Sequence, residues 1–392
     1  MMLSKRALRI NPSPTLAITA KAKEMKKQGI DIISFAAGEP DFDTPDHIKQ
    51  AAIQAIKDGF TKYTATSGIP ELKKAICDKF KKDNNLVYLP EQILVSNGAK
   101  QCLFNIIQVL IDHGDEVLIP SPYWVSYEEM VKLADGSCVF LKTVDFKINK
   151  SVLEKAITIK SKVLILNSPS NPTGVVYDRK ELESITEVCV KNNIYVISDE
   201  IYESLIYEKK HVSIASLNER IKKLTIVVNG VSKAYSMTGW RIGYCAGEKE
   251  IMKAASTLQD HSTSNPNSIA QKAALAALTG PQNTISFMKE AYKKRRNYII
   301  QRLQKIKGLK VQKPDGAFYV FVDVSSLYNE RIKDSVKFCS ELLEKAHVAA
   351  IPGVAFGNDR YIRLSYATSD VDIKKGLDRL EKFAKDLIKN PI

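Results

Sequence analysis

Between about residues 70 and 250, short apolar runs end in polar or Pro-rich loops and give way to helical stretches, over and over. This rhythm constrains the fold more than any other feature of the sequence. Ile93-Leu94-Val95 runs into Ser96-Asn97-Gly98-Ala99-Lys100, and Glu116-Val117-Leu118-Ile119 into Pro120-Ser121-Pro122. Lys162 to Leu166 leads to a Pro-rich turn, Ile194 to Ile197 ends at Ser198-Asp199-Glu200, and Thr225 to Val228 ends at Asn229-Gly230. Strands that alternate with helices predict an α/β fold, a mostly parallel sheet covered on both faces. Ligands of such sheets sit beyond the carboxyl ends of the strands. Gly98, Asn171, Asp199 and Lys233 all fall at such ends.

The flanks read differently. Pro45 to Asp58 has the spacing of an amphipathic helix, with Thr44 as its cap. After about residue 285 a long charged helix, Phe287 to Lys305, precedes strands at Gly316 to Val324 and Tyr361 to Tyr366. We expect a large domain over 44–285. A smaller α+β domain is expected from 286–392 together with 1–43, because chain termini commonly lie close in space.

Composition removes several classes of function. At 44% hydrophobic and 26% charged residues, the chain is too apolar to be disordered. Its apolar runs are strand-length, well short of the roughly 20 residues a membrane helix needs, and no signal core follows Met1. The net charge of +14 raises nucleic-acid binding, but the basic residues spread from Lys5 to Lys389 among acidic ones and form no arm. They read as a solvated surface that would also help collect dicarboxylates. The six cysteines lack C-x-x-C spacing and the five histidines do not cluster. The expectation is a reduced, cytoplasmic protein without a metal site built from local ligands, and with neither nucleic acid nor membrane as partner. The signatures G-x-G-x-x-G, G-x-x-x-x-G-K-[ST] and G-x-S-x-G are all missing.

What remains is a four-part constellation: Asn167 to Gly174 (NSPSNPTG), Ser198 to Tyr202 (SDEIY), Ser232 to Gly243 (SKAYSMTGWRIG) and Tyr361 to Ala367 (YIRLSYA). Lys233 stands at a strand end, where a partly deprotonated amine can form a Schiff base. Arg241 follows eight residues later between glycines, suited to gripping a phosphate. Asp199 closes an apolar strand, placed to hold a protonated ring nitrogen. A Schiff-base lysine with an acidic partner for a pyridinium nitrogen is what pyridoxal phosphate demands.

In these motifs, and over about Leu16 to Leu380, the chain resembles the fold-type I, class I/II aminotransferases, most closely the aspartate aminotransferase subgroup of bacteria and plant plastids. The resemblance implies a seven-stranded, mostly parallel sheet and pyridoxal 5'-phosphate as cofactor. It implies that Lys233 is the Schiff-base lysine and proton carrier, and that Asp199 is the partner of the ring nitrogen. Tyr202 and Asn171 resemble the donors to the ring's phenolic oxygen, and Trp124 the aromatic that stacks on the ring. Gly98 and Ala99 match backbone donors to the phosphate at a helix N-terminus, and Arg241 matches the phosphate arginine. Tyr63 resembles a tyrosine lent to the phosphate of a neighbouring subunit, which implies a homodimer with shared active sites. Arg363 and Gly38 resemble contacts to the substrate α-carboxylate. One departure is Gly230, where many relatives carry a phosphate-binding serine; Ser232 is the nearest hydroxyl.

For the substrate, Lys100 matches a lysine that reaches the distal carboxylate of a dicarboxylic amino or keto acid, helped by small hydroxyl residues such as Ser13 and Thr15. Aspartate, glutamate and their keto acids are favoured, with transamination of prephenate or aromatic substrates as an alternative. A β-lyase on the same cofactor shares the fold, and fold does not decide chemistry. A regulatory domain fused to a DNA-binding module lacks its helix-turn-helix here, and the intact lysine, aspartate and arginine speak against an inactive binding protein.

Overall fold

The structure, a computed structural model, describes residues 3–12 and 14–389. Its centre is a seven-stranded sheet of β1 (Ile93–Ser96), β2 (Glu116–Ser121), β3 (Ser137–Lys142), β4 (Ser161–Asn167), β5 (Tyr195–Asp199), β6 (Thr225–Gly230) and β7 (Gly243–Ala246). The spatial order is β1-β7-β6-β5-β4-β2-β3. All neighbours run parallel except β7, which is antiparallel to both β1 and β6. The mostly parallel α/β sheet is therefore observed. β3 and the reversed β7 join the five strands legible in the sequence.

Helices cover both faces, so the middle of each central strand is a continuous apolar run. Val163 to Leu166 and Thr225 to Gly230 are buried throughout. Burying each leucine or isoleucine there contributes about 1.5–3 kcal/mol. One apolar cluster joins Leu94, Val117, Ile165 and Ile197 to the helix Ala99–Leu110; another joins Val95 and Val227 to the alanine-rich helix Ser268–Thr279.

The C-terminal part builds an antiparallel sheet in the order Ile351–Pro352, Tyr361–Ser365, Tyr319–Asp323, Lys310–Val311. Ile33–Ser34 pairs in parallel with Val348–Ala349. Just beyond it, the Phe35 carbonyl accepts the Ser365 N–H at 2.8 Å. These bonds hang the segment Ala36–Gly38 beside Arg363, the middle residue of Tyr361–Ser365.

The cap expected at Thr44 is not formed. The helix runs Asp46–Lys57 with Pro45 in the cap position, and the Thr44 hydroxyl donates to the Ser236 carbonyl at 2.7 Å. Thr44 instead ties the helix entrance to the loop after Lys233. Among the described residues, no helix is long and apolar enough to cross a membrane.

Candidate active site

Five chain crossings deliver side chains to one edge of the large sheet. The ends of β1, β2, β4, β5 and β6 lead to Gly98, Trp124, Asn171, Asp199 and Lys233. Because β7 is antiparallel, its first residues lie at the same edge, and Arg241 precedes them. The one reversed strand thus brings the arginine back to the carboxyl ends of its neighbours.

Lys233 is partly buried, and its Nζ donates to the Gly38 carbonyl at 2.5 Å. Removal from water first, then the Arg363 guanidinium, brings its ammonium down to about 8, against the opposing pull of Glu39 and Asp199. With that value roughly a tenth of the lysine is the neutral, nucleophilic amine at pH 7, far more than for an ordinary lysine.

Asp199 is 4% exposed. Its Oδ2 accepts the Tyr127 hydroxyl at 2.6 Å, and its Oδ1 accepts the Ile201 N–H at 3.3 Å. Burial raises the carboxyl to about 6, and those two hydrogen bonds hold it from rising further. The group is mostly ionised at neutral pH and keeps acceptor positions for a cationic partner.

Arg363 is 2% exposed and has no carboxylate beside it among the described residues. Nη1 donates to Asn171 Oδ1 at 3.0 Å, Nη2 to the Ala36 carbonyl at 2.9 Å, and Nε has no partner. The guanidinium lies 4.4 Å from the Tyr319 ring centre. A buried cation with an idle N–H is costly unless an anion joins it, which fits a carboxylate ligand. With its oxygen committed to Arg363, Asn171 has its NH2 group left to donate. The Tyr202 hydroxyl shares a 2.7 Å bond with that of Tyr319. With Tyr319 as donor, the Tyr202 proton is left for a ligand.

The outer part of the site is a cationic cradle. Gly98 caps the helix Ala99–Leu110 at φ +87°. That φ favours glycine; a Cβ there would also lie 2.5 Å from Arg241 Nη2 and push the guanidinium aside. The Gly98 N–H turns back to the Ser96 carbonyl at 2.7 Å. Ala99 is then the first N–H of a helix start suited to an anion. Arg241 is exposed, held by the carbonyls of Thr238 at 2.9 Å and Asn97 at 3.2 Å. Gly230 has a packing reason: a Cβ would come within 3.0 Å of Gly243 Cα in the adjoining strand. Ser232 is buried one residue before the lysine.

Lys100 Nζ lies 4.8 Å from the centre of the Trp124 ring, and burial, then the Arg241 charge, lowers its pKa. Tyr63 is 89% exposed. Thr15 sits in the first turn of the helix Pro14–Lys27, where its carbonyl accepts the Thr19 hydroxyl at 2.8 Å; no hydrogen bond joins it to the residues above. Ser13 lies outside the described residues.

Tyr127 and Tyr319 are additions that sequence reasoning missed. Tyr127 stands three residues after Trp124, and that helical spacing was the available signal. Tyr319 offered none beyond its place in an apolar strand. Nearby, the side chains of Glu200, Glu203 and His211 converge within 4.8 Å. The Glu200 carboxylate already takes Ser198 at 2.8 Å, Ser213 at 2.6 Å and His211 at 2.8 Å, while Glu203 pairs with Lys79.

A buried acid, a desolvated amine, an idle guanidinium and a cationic cradle at one sheet edge match the chemistry expected from the motifs. The profile of the family described as aminotransferase class I and II matches residues 30–380. The chain belongs to this aminotransferase family. It is 51% identical over 389 residues to the aspartate aminotransferase of Bacillus sp. strain YM-2, covering 98% of this chain and 99% of that one. It is 49% identical to the probable aspartate/prephenate aminotransferase of Rickettsia conorii, covering 97% and 98%. Among solved structures, the aspartate aminotransferase of Thermus thermophilus with maleate superposes with a TM-score of 0.93 at 44% identity, over 97% of this aminotransferase and 99% of that one. The resemblance carried by the four motifs thus extends to nearly the whole chain.

Proposed function

We propose that this aminotransferase moves the amino group between L-aspartate and 2-oxoglutarate, giving oxaloacetate and L-glutamate, with pyridoxal 5'-phosphate as cofactor. The observation that carries the reading is the pairing of Lys233 and Arg363. A desolvated amine and a buried guanidinium with an idle N–H are held side by side by the carbonyls of Gly38 and Ala36. One suits a carbonyl carbon and the other a carboxylate, the two functions an amino-acid substrate and an aldehyde cofactor bring together.

The residues fit the cofactor. Arg241 and the N–H of Ala99, with Gly98 leaving them room, would hold its phosphate. Asp199 would hold its ring nitrogen, Tyr202 and the Asn171 NH2 its phenolic oxygen, and Trp124 its face. When bound, pyridoxal 5'-phosphate supplies an aldehyde that condenses with amines and a ring that takes up the electron pair of the substrate's α-carbon. Arg363 and Gly38 fix the α-carboxylate, and Lys100 takes the distal carboxylate, with Ser13 and Thr15 assigned to the same end. Two anchored carboxylates leave the α-hydrogen facing Lys233. Lys233 Nζ, neutral in part near its depressed pKa, would take that proton as a general base and, as the acid, give it up to the carbon that was the cofactor's aldehyde. Asp199, mostly ionised at neutral pH, would keep a proton on the ring nitrogen.

Tyr63, exposed and without a side-chain partner among the described residues of its own chain's site, is assigned to the phosphate of a second subunit, so the enzyme is a homodimer with shared sites. The division into 44–285 and 1–43 with 286–392 belongs to the same proposal. It is supported by the pairing of Ile33–Ser34 with Val348–Ala349. All six cysteines are unpaired, which supports a reducing, cytoplasmic setting. A second reading, transamination of prephenate, is favoured by the Rickettsia relative's name.

The test mixes cofactor-loaded protein with single donors and follows the cofactor's visible absorbance over one half-reaction. Fast conversion with aspartate and glutamate, and slow conversion with alanine and cystathionine, is the expected result. The opposite order would discard the dicarboxylate reading. Prephenate is then offered as acceptor to the aminated enzyme.

A further inference from the structure

Helix Ser126–Leu133 starts just after Trp124, and its Tyr127 N–H donates to the Trp124 carbonyl at 3.0 Å. That single turn sets the two rings edge to face, 5.4 Å apart at 85°. Tyr127 is 1% exposed, and its hydroxyl ends 2.6 Å from Asp199 Oδ2. Among the described residues it is the only side chain that bonds this carboxylate. The remaining bond, from the Ile201 N–H at 3.3 Å, is at the long limit of a useful one.

Packing alone does not call for the hydroxyl. The ring belongs to the apolar cluster that also holds Leu94, Val117, Ile119 and Ile165, where a phenylalanine would bury the same apolar surface. A buried phenol needs a partner, and here the partner is the site's acid. The neighbouring carboxylate makes the contrast. Glu200 has three side-chain donors and no remaining task, whereas Asp199 has one donor on Oδ2 and an Oδ1 that is nearly free.

We propose that Tyr127 is a positioning residue of the transamination reaction. Its hydroxyl holds the Asp199 carboxylate in the orientation and the ionised state that keep a proton on the cofactor's ring nitrogen, and its ring sets the pose of Trp124. The proposal rests on the pyridoxal-phosphate reading above. Without the phenolic donor, Asp199 binds its own proton more tightly and competes with the ring nitrogen for it.

The test compares the unmodified protein, Tyr127→Phe, Asp199→Asn and the double variant. It measures equilibrium uptake of pyridoxal 5'-phosphate by each unloaded protein, and the resonance of cofactor carrying 15N in its ring. Thermal unfolding of the unloaded variants confirms that each is folded. Tyr127→Phe should weaken cofactor uptake by about 10- to 100-fold, the worth of a hydrogen bond to a charged group. Its 15N resonance should move toward that of an unprotonated pyridine. In the Asp199→Asn background the same substitution should change uptake by less than about twofold, because coupled residues are not additive. An equal loss in both backgrounds, or an unmoved resonance, would overturn the proposal and leave the cofactor reading standing. Failure of the unmodified protein to take up the cofactor would overturn both.

Discussion

At the inner end of the cleft, Asp199 and Tyr202 are each 4% exposed and Arg363 2%, and every polar contact they make comes from within the chain. At the outer end, Arg241 and Lys100 are exposed and Tyr63 is 89% exposed. The inner groups are underused for their burial. Arg363 has an idle Nε, and Asp199 is raised to about 6 because its environment withholds the hydrogen bonds that water would give. The outer groups reach the surface and need a ligand or another subunit to organise them. On the proposed function, chemistry is preorganised where water is excluded, and grip and assembly are left to the rim.

This contrast can be sharpened by substitutions and by pH. The largest effect should come from the inner amine. The Lys233 ammonium titrates at about 8, and only its neutral form attacks an aldehyde. The initial rate of cofactor attachment to the unloaded protein should approach a tenfold fall per pH unit below that value, hence roughly fiftyfold from pH 8 to pH 6, and level off above it. Stopped-flow absorbance checks this. An inflection near the ordinary lysine range would mean that the amine is not desolvated. Next comes Lys100→Ala, expected to raise KM for aspartate by about tenfold through loss of one charge-assisted contact, while leaving alanine unaffected. Equal effects on both donors would move Lys100 from the distal carboxylate to the phosphate. The smallest effect belongs to Tyr63→Phe, a few-fold weakening of cofactor retention of the order of one neutral hydrogen bond. If the tyrosine serves a second subunit, mixed dimers with a Lys233→Ala chain will show which site it feeds. Loss in the site on its own chain would contradict the shared arrangement.

The residues that were legible in the sequence share one property: they sit in short contiguous motifs. Lys233 and Arg241 lie eight positions apart on one loop, and Asp199 closes a strand whose apolar run announces it. What was not legible depends on contacts between distant segments. Tyr127 meets Asp199 across 72 positions, and Tyr319 meets Tyr202 across 117. Thr44 looked like a cap because its neighbours are helical, but its hydroxyl found a carbonyl 192 positions away. The direction of β7 was hidden for the same reason. Four buried residues, Gly243–Ala246, show no periodicity that tells a parallel from an antiparallel strand. The tight packing at position 230 likewise appears only once Gly243 is seen against it.

The central claim is that the enclosed amine of Lys233 is the point of cofactor attachment. The most direct measurement loads the protein with pyridoxal 5'-phosphate, reduces the cofactor–protein bond with borohydride, digests the protein and locates the added mass. A single modified peptide carrying the pyridoxyl group on Lys233 is expected. Modification of Lys100, or of many surface lysines with Lys233 untouched, would contradict the account.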